Sequence, residues 1–137
     1  MPVVKSYHAG EMIFATQVGN HQILSDVPPS PDWGGKDRYP TPPDYFVASL
    51  ASCIAAFVVQ YCNRVGINSA DMSVELTYDK ETQPAHFKNL AVNIYLPNAE
   101  LAERTNAIKR VAHHCTVHET ISRMSGEVPV NVFDKSG

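Results

Sequence analysis

Three cysteines, Cys53, Cys62 and Cys115, are the residues best suited to covalent chemistry. An odd number of cysteines does not fit a secreted disulfide framework, so we expect free thiols in a reducing compartment. Cys53 and Cys62 are nine residues apart, about two and a half helical turns, so on a helix they face opposite ways and cannot pair. Cys115 closes the apolar stripe of a later predicted helix, which makes Cys53 and Cys115 a possible reactive pair. Because most buried cysteines are inert, spacing alone leaves redox chemistry and core packing both open.

Histidines around Cys115 suggest a metal site as a second kind of chemistry. On a continuous helix His114 and His118 would share one face, as metal-binding histidines can. Cys115 belongs to the apolar stripe, His113 points elsewhere, and no second ligand cluster completes a tetrahedral site. We therefore expect no metal, and we assign His118 to the surroundings of the Cys115 thiol or to its pocket.

The composition favours one globular domain that spans residues 1–137. With 44% hydrophobic and 18% charged residues the chain can build a core, whereas disordered chains are poor in apolar residues. A net charge of −3 with scattered Lys and Arg residues argues against nucleic-acid binding. The N-terminus shows no secretory signal, and the membrane-like stretch 45–62 is short and interrupted by polar residues. We expect a cytoplasmic protein without a membrane span, in which this stretch is a buried helix.

The elements that must position these groups follow from local patterns. Alternation through residues 12–16 and the turn residues Gly19-Asn20 predict early strands. The proline-rich run 26–43 predicts a long loop. Residues 44–65 predict a long helix that ends at Gly66. Because its apolar residues surround most of the circumference, we expect burial on more than one side, which suggests a dimer partner.

The second half of the chain predicts two strands and then mixed elements. Alternation indicates strands at 72–78 and from the Gln83-Pro84 break to residue 96, with a bulge near Asn89. Asn98 is a suitable N-cap for the next helix. Helices are predicted at 99–115 and 118–125. A final strand, through Val128, Val130 and Val132, is predicted at 128–132. This order of elements is an α+β architecture.

Two segments resemble the signatures of the OsmC/Ohr family, the osmotically inducible and organic hydroperoxide resistance proteins. In TPPDYFVASLASC, residues 41–53, a proline-bearing loop leads into a long helix with a cysteine at its mid-point. The run CTVH, residues 115–118, is similar to the second signature, Cys-Pro-Val followed by Ser or His. The resemblance covers essentially the whole chain. It implies an OsmC-like fold, with antiparallel strands packed with a long central helix in an intertwined homodimer.

The resemblance also implies a thiol peroxidase and so favours redox chemistry over core packing. Cys53 would be the peroxidatic thiolate that attacks an organic hydroperoxide and becomes sulfenic acid. Cys115 would resolve that acid to a disulfide, which an external dithiol reduces. No metal or organic cofactor is needed. We expect the pocket for an apolar alkyl peroxide to be lined by Trp33, Tyr39, Tyr45, Phe57 and His118.

One departure from the family concerns the charge that must stabilise the Cys53 thiolate. A buried mid-helix thiol needs a nearby cation, because burial raises its pKa. The hydroperoxide-resistance branch uses an arginine from an early strand, but no arginine precedes Arg38 here. We expect Arg38, paired with Asp44, to replace it, with His118 as the second candidate. The missing arginine keeps open an alternative function, a non-catalytic dimer that binds a small apolar ligand.

Overall fold

A computed structural model describes residues 1–136 of the chain. The elements follow in the order β1 (Val4–His8), β2 (Phe14–Val18), β3 (His21–Ser25), α1 (Pro42–Val65), β4 (Ser73–Thr82), β5 (Ala85–Tyr95), a 3-10 helix (Ala102–Arg104), α2 (Thr105–His113) and α3 (Thr116–Arg123). The strands form two antiparallel sheets, β1-β2-β3 and β4-β5. The predicted α+β architecture is confirmed.

The N-terminal sheet has the turn that the sequence predicts. β2 and β3 pair from Val18 opposite His21, so Gly19 and Asn20 form the connection. Gly19 has a φ of 58°, a left-handed conformation that glycine adopts without steric cost.

The loop after β3 is held by one buried carboxylate. Asp26 is fully buried and accepts hydrogen bonds from the backbone N–H groups of Val27, Lys36 and Arg38, at 2.7, 3.4 and 3.2 Å. Gly35 lies so close to this turn that a Cβ there would be 1.8 Å from the Val27 carbonyl oxygen. The loop therefore folds back on itself before the chain enters α1.

Replacing Asp26 by asparagine will lower the free energy of unfolding at neutral pH. It will also make that free energy less sensitive to acid. The hydrogen bond from the Val27 N–H has the largest effect on the pKa of Asp26 and lowers it, while burial acts in the opposite direction. Together with the hydrogen bonds from Arg38 and Lys36, it holds this pKa below its ordinary value of 3.8. Such a carboxylate stabilises the fold above its unfolded-state pKa, and this contribution is lost as pH falls through the lower folded value. Urea unfolding at pH 7, 5 and 3 measures it, with the exposed Asp32→Asn as control. An Asp26→Asn protein as stable as wild type at pH 7 would contradict the assignment.

Helix α1 is defined by strong signals at both ends. The Thr41 hydroxyl accepts from the Asp44 N–H, and the Asp44 carboxylate accepts from the Thr41 N–H, which makes a capping box. Gly66 ends the helix in a left-handed conformation with φ 80°. The predicted helix is confirmed, beginning two residues earlier at Pro42.

Only one stripe of α1 is buried within the chain. Leu50, Ile54, Val58 and Cys62 form it and pack with Ile108, Ala112 and Cys115. On other faces Phe46 is 44% exposed, and Ser49, Ser52 and Ala56 are exposed. The predicted burial on more than one side is therefore not met by this chain alone.

Helix α1 is also long and apolar enough, by length and composition, to cross a membrane. Its buried stripe packs against α2, α3 and β4 instead. The buried stripe of α1 is thus part of the core of the chain.

The β4–β5 hairpin carries the predicted bulge. Its pairing register shifts between Thr77 and Asp79, and Asn89 opposite has a positive φ of 55°. Asparagine tolerates this conformation better than most residues. Val74 and Leu76 on β4 and Val92 and Ile94 on β5 pack against the cluster around α1.

The predicted helix 99–115 is wrong in its start and its end. Asn98 does not cap a helix, because its side-chain amide donates to the Ala70 carbonyl and the Asp71 carboxylate, at 3.0 and 3.3 Å. Ala102 has a positive φ of 50°, which interrupts any helix across it. Helix α2 ends at His113, and Cys115 therefore lies between α2 and α3.

The predicted last strand is also wrong within a single chain. Residues 128–132 carry no strand hydrogen bonding to any other part of residues 1–136. Val128, Val130, Val132 and Phe133 are 72%, 82%, 88% and 79% exposed. A strand needs a partner to satisfy its backbone, and the described chain supplies none here.

Candidate functional site

Two of the three cysteines meet where α3 begins. Cys115 is the N-cap residue of α3, and its sulfur accepts a hydrogen bond from the His118 N–H at 3.3 Å. Cys53, near the middle of α1, packs against the buried cluster that contains Cys115. The two thiols are close enough that each affects the pKa of the other. The structure thus brings Cys53 and Cys115 together across two helices.

The start of α3 lies beside these two sulfur atoms. The first turn of a helix has N–H groups with no carbonyl partner inside the helix. The His118 N–H donates to the Cys115 sulfur at 3.3 Å, and the Val117 and Thr116 N–H groups lower the pKa of Cys53. The first regular helical bond of α3 runs from the Glu119 N–H to the Cys115 carbonyl.

This arrangement makes the two thiols chemically unequal. Burial alone would raise the pKa of Cys53, but hydrogen bonds from the Cys115 thiol and from the Val117 and Thr116 N–H groups outweigh it and lower that pKa. Burial raises the pKa of Cys115, and its hydrogen bond to Cys53 raises it further. Cys53 is therefore the more acidic of the two thiols.

Cys62 is separate from this pair. It is fully buried in the core stripe of α1, and burial raises its pKa. A thiol in apolar surroundings with a raised pKa is a poor nucleophile. Cys62 is thus a packing residue, and it supplies a matched control for experiments on Cys53.

The predicted cation is not at the Cys53 sulfur. Arg38 donates from Nε to Asp26 at 3.4 Å and from Nη2 to Glu11 at 3.0 Å. Asp44 accepts from the Thr41 N–H at 3.0 Å in the cap of α1. Within residues 1–136, Arg38 and Asp44 therefore serve the loop and the helix start, and they do not pair with each other.

Sequence reasoning missed that Cys115 lies at the start of a helix. It placed Cys115 at the end of a helix, where the carbonyl end of the dipole would disfavour a thiolate. The run Thr116 to Glu119 has the Thr-x-x-Glu spacing that often marks a helix start. That pattern was the available signal, although Cys115 and not Thr116 proves to be the cap.

The five predicted pocket residues do not line one cavity. A cavity of about 430 Å³ lies between α1, β5, α2 and α3, with an apolar floor that includes Leu50 and Ile54. His118 lines it, with its ring stacked on His113 at a centroid distance of 4.9 Å. Of the others, Trp33 and Tyr39 are exposed on the loop, Tyr45 donates to the Leu24 carbonyl at 2.6 Å, and Phe57 packs on the core.

The histidines do not adopt the geometry that a metal site required. Helix α2 ends at His113, so His114 and His118 are not on one continuous helix. Within the part of the chain that the structure describes, no group of three His, Cys, Asp or Glu side chains is placed to hold a metal ion.

Comparisons with known proteins bear on the fold of the chain. Residues 34–130 match the family model described as OsmC-like protein. Three crystal structures are similar to this chain. One is described as an osmotic stress induced and detoxification response protein from Psychrobacter arcticus, and one as an OsmC like protein from Mycoplasma pneumoniae. The third is described as an organic hydroperoxide resistance protein OsmC from Legionella pneumophila. Their TM-scores are 0.73, 0.68 and 0.60 at 21%, 19% and 20% identity, covering 88%, 90% and 90% of this chain and 88%, 88% and 90% of theirs. A search of curated protein sequences found no match.

Proposed function

The chain belongs to the family of OsmC-like proteins, and on that premise we propose that it is a thiol-dependent peroxidase that reduces organic hydroperoxides. The observation that carries the proposal is that Cys53 packs against the buried cluster that contains Cys115, close enough for each thiol to affect the pKa of the other. Fold relatives named for organic hydroperoxide resistance support the choice of substrate class.

The proposed reaction uses each thiol once. The Cys53 thiolate attacks the distal oxygen of the hydroperoxide, the O–O bond breaks, and the departing alkoxide takes a proton to leave as the alcohol. Cys53 is then a sulfenic acid. The Cys115 sulfur attacks it, a disulfide forms and water leaves. An external dithiol reduces the disulfide and restores both thiols.

The unequal thiols support this division of roles. The sulfur with the lowered pKa, Cys53, is partly exposed, as a nucleophile for an outside substrate must be. Cys115 is fully buried and stays protonated. Cys115 therefore reacts with the oxidised Cys53 sulfur rather than with peroxide from the solvent.

Cys115→Ala will stop the reaction at the sulfenic acid. Wild-type protein should lose two thiols with one equivalent of cumene hydroperoxide and form a Cys53–Cys115 disulfide. The variant should lose one thiol and gain one oxygen atom on Cys53, because no resolving sulfur remains. Mass spectrometry with thiol counting measures both results.

Cys62→Ala is the matched control, because Cys62 is a buried thiol of α1 outside the pair. It should form the disulfide as the wild type does. Disulfide formation that involves Cys62, or three unchanged thiols in the wild type, would reject the proposed chemistry.

We further propose that the chain works as a homodimer in the cytoplasm. Val3, Val4 and Tyr7 near the N-terminus are 70%, 60% and 57% exposed. The valines after α3 and one face of α1 are also exposed. Exposed apolar surface on this scale is typical of an interaction surface. Three free cysteines suit a reducing compartment, and cell fractionation would check that location.

A second candidate function rests on the cavity of about 430 Å³ between the helices and β5. Its size and its mostly apolar lining suit a small apolar ligand. On this alternative the thiols rarely cycle, so three thiols that survive cumene hydroperoxide would favour ligand binding.

A further inference from the structure

The cavity of about 430 Å³ between α1, β5, α2 and α3 has an apolar interior and a polar opening. Leu50 and Ile54 lie at its buried end and are 3% and 1% exposed. Lys109, His113 and Ser122 also line it but are exposed. The other apolar side chains that line the cavity are Leu90, Val92, Ile94, Ala112 and Ile121. A ligand that fits this cavity therefore has an apolar part and a polar end.

The polar opening is built by α2 and α3 together. Lys109 and His113 are four residues apart on α2, and His118 and Ser122 are four residues apart on α3. Residues at this spacing lie one turn apart on the same face of a helix. The rings of His113 and His118 stack between the two helices, with a centroid distance of 4.9 Å and an interplanar angle of 16°. This stacking brings the polar groups of both helices to one side of the cavity.

The charges at this opening favour an anion. The described residues that line the cavity include one lysine and two histidines but no aspartate or glutamate. Lys109 forms no ion pair within residues 1–136. Of the charged residues on the neighbouring elements, Glu119 of α3 pairs with Arg123 and Lys88 of β5 pairs with Glu81, both at 2.7 Å. Because the whole chain has a net charge of −3, this basic opening is not part of a generally basic surface.

We propose that the cavity is a binding site for a carboxylate with an apolar chain, separate from the two thiols. The carboxylate would accept hydrogen bonds from the Lys109 ammonium group and from an imidazole N–H of His113 or His118, while the chain fills the apolar interior. An uncharged apolar ligand would not use these donors. One lysine matches the single charge of a carboxylate better than the nearly double charge of a phosphate monoester.

This site goes beyond the proposed peroxidase function and does not rest on it. Neither Cys53 nor Cys115 is among the described residues that line the cavity. Binding of a carboxylate there would involve no change at sulfur, so it is measured without peroxide and without a reductant.

Isothermal titration calorimetry at pH 7 with decanoate, 1-decanol and acetate tests the proposal. Decanoate should bind more tightly than 1-decanol, which has the same chain without the charge, and more tightly than acetate, which lacks the chain. Lys109→Gln should raise the dissociation constant for decanoate about fivefold, the effect expected of an ion pair at an exposed position. The same variant should leave the dissociation constant for 1-decanol unchanged.

Arg110→Gln is the matched control, because Arg110 is the next residue of α2, is exposed and does not line the cavity. It should bind decanoate as the wild type does. Both variants should melt with the wild type, since both side chains are exposed. Equal affinities for decanoate and 1-decanol would overturn the proposal, as would unchanged binding of decanoate by Lys109→Gln or an equal loss in Arg110→Gln. Binding of decanoate by a protein whose three thiols survive cumene hydroperoxide would retain this site and reject the peroxidase.

Discussion

Replacing Cys53 by serine will abolish hydroperoxide reduction, with a loss of at least about a thousandfold in rate. A serine hydroxyl is not ionised near pH 7 and cannot form the sulfenic acid on which the cycle depends. The Val117 and Thr116 N–H groups at the start of α3 lower the pKa of this thiol, whereas the pKa values of Cys62 and Cys115 are raised. The loss should therefore appear in the first step, before any disulfide forms.

Consumption of cumene hydroperoxide with dithiothreitol as reductant measures this effect. The thermal melting of Cys53→Ser should remain close to that of the wild type, since the replaced side chain is only partly buried. Cys62→Ala is again the control and should retain turnover. Undiminished peroxide turnover in Cys53→Ser would mean that the reaction does not start at this sulfur.

Replacing both Val130 and Val132 by lysine will raise the dissociation constant of the proposed homodimer by at least about a hundredfold. Both side chains are more than four-fifths exposed in the single chain, and burying a valine contributes about 1.5–3 kcal/mol. The double variant would lose the burial of two valines at the interface. It would also have to bury two ammonium groups there, which is costly. Sedimentation velocity should show wild-type protein at twice the monomer mass of 15.1 kDa and the double variant at the monomer mass.

Asn131→Lys is the matched control for the valine substitutions. It adds the same charged side chain one residue away, and in an extended backbone it faces the opposite way. It should leave the dimer intact. A wild-type monomer at micromolar concentration, or a double variant that still dimerises, would show that this segment does not join two copies.

Local patterns were enough to predict the parts of the fold that neighbouring residues determine. Gly19-Asn20 made a hairpin, Gly66 ended α1, and Asn89 placed the bulge, because each depends on the conformational preferences of one or two residues. The helix across 99–115 failed because a distant contact, from Asn98 to Ala70 and Asp71, replaced the local cap.

The two cysteines of the candidate site were identified from the sequence, through their types and the family signatures around them. The sequence could not show what stabilises the Cys53 thiolate. That depends on α3, whose first residue is more than sixty positions from Cys53 along the chain. Reasoning from charge alone selected Arg38, which the structure places with Asp26 and Glu11.

The sequence by itself determined the central helix, the strands from β2 to β5 and the choice of Cys53 and Cys115 as the candidate thiols. Only the tertiary structure decided that Cys115 begins a helix and that the Val117 and Thr116 N–H groups lie near enough to Cys53 to lower its pKa. The physical reason is that backbone donors carry no signature of their own in a sequence. Every residue except proline has an N–H group, and its effect depends on where the folded chain directs it.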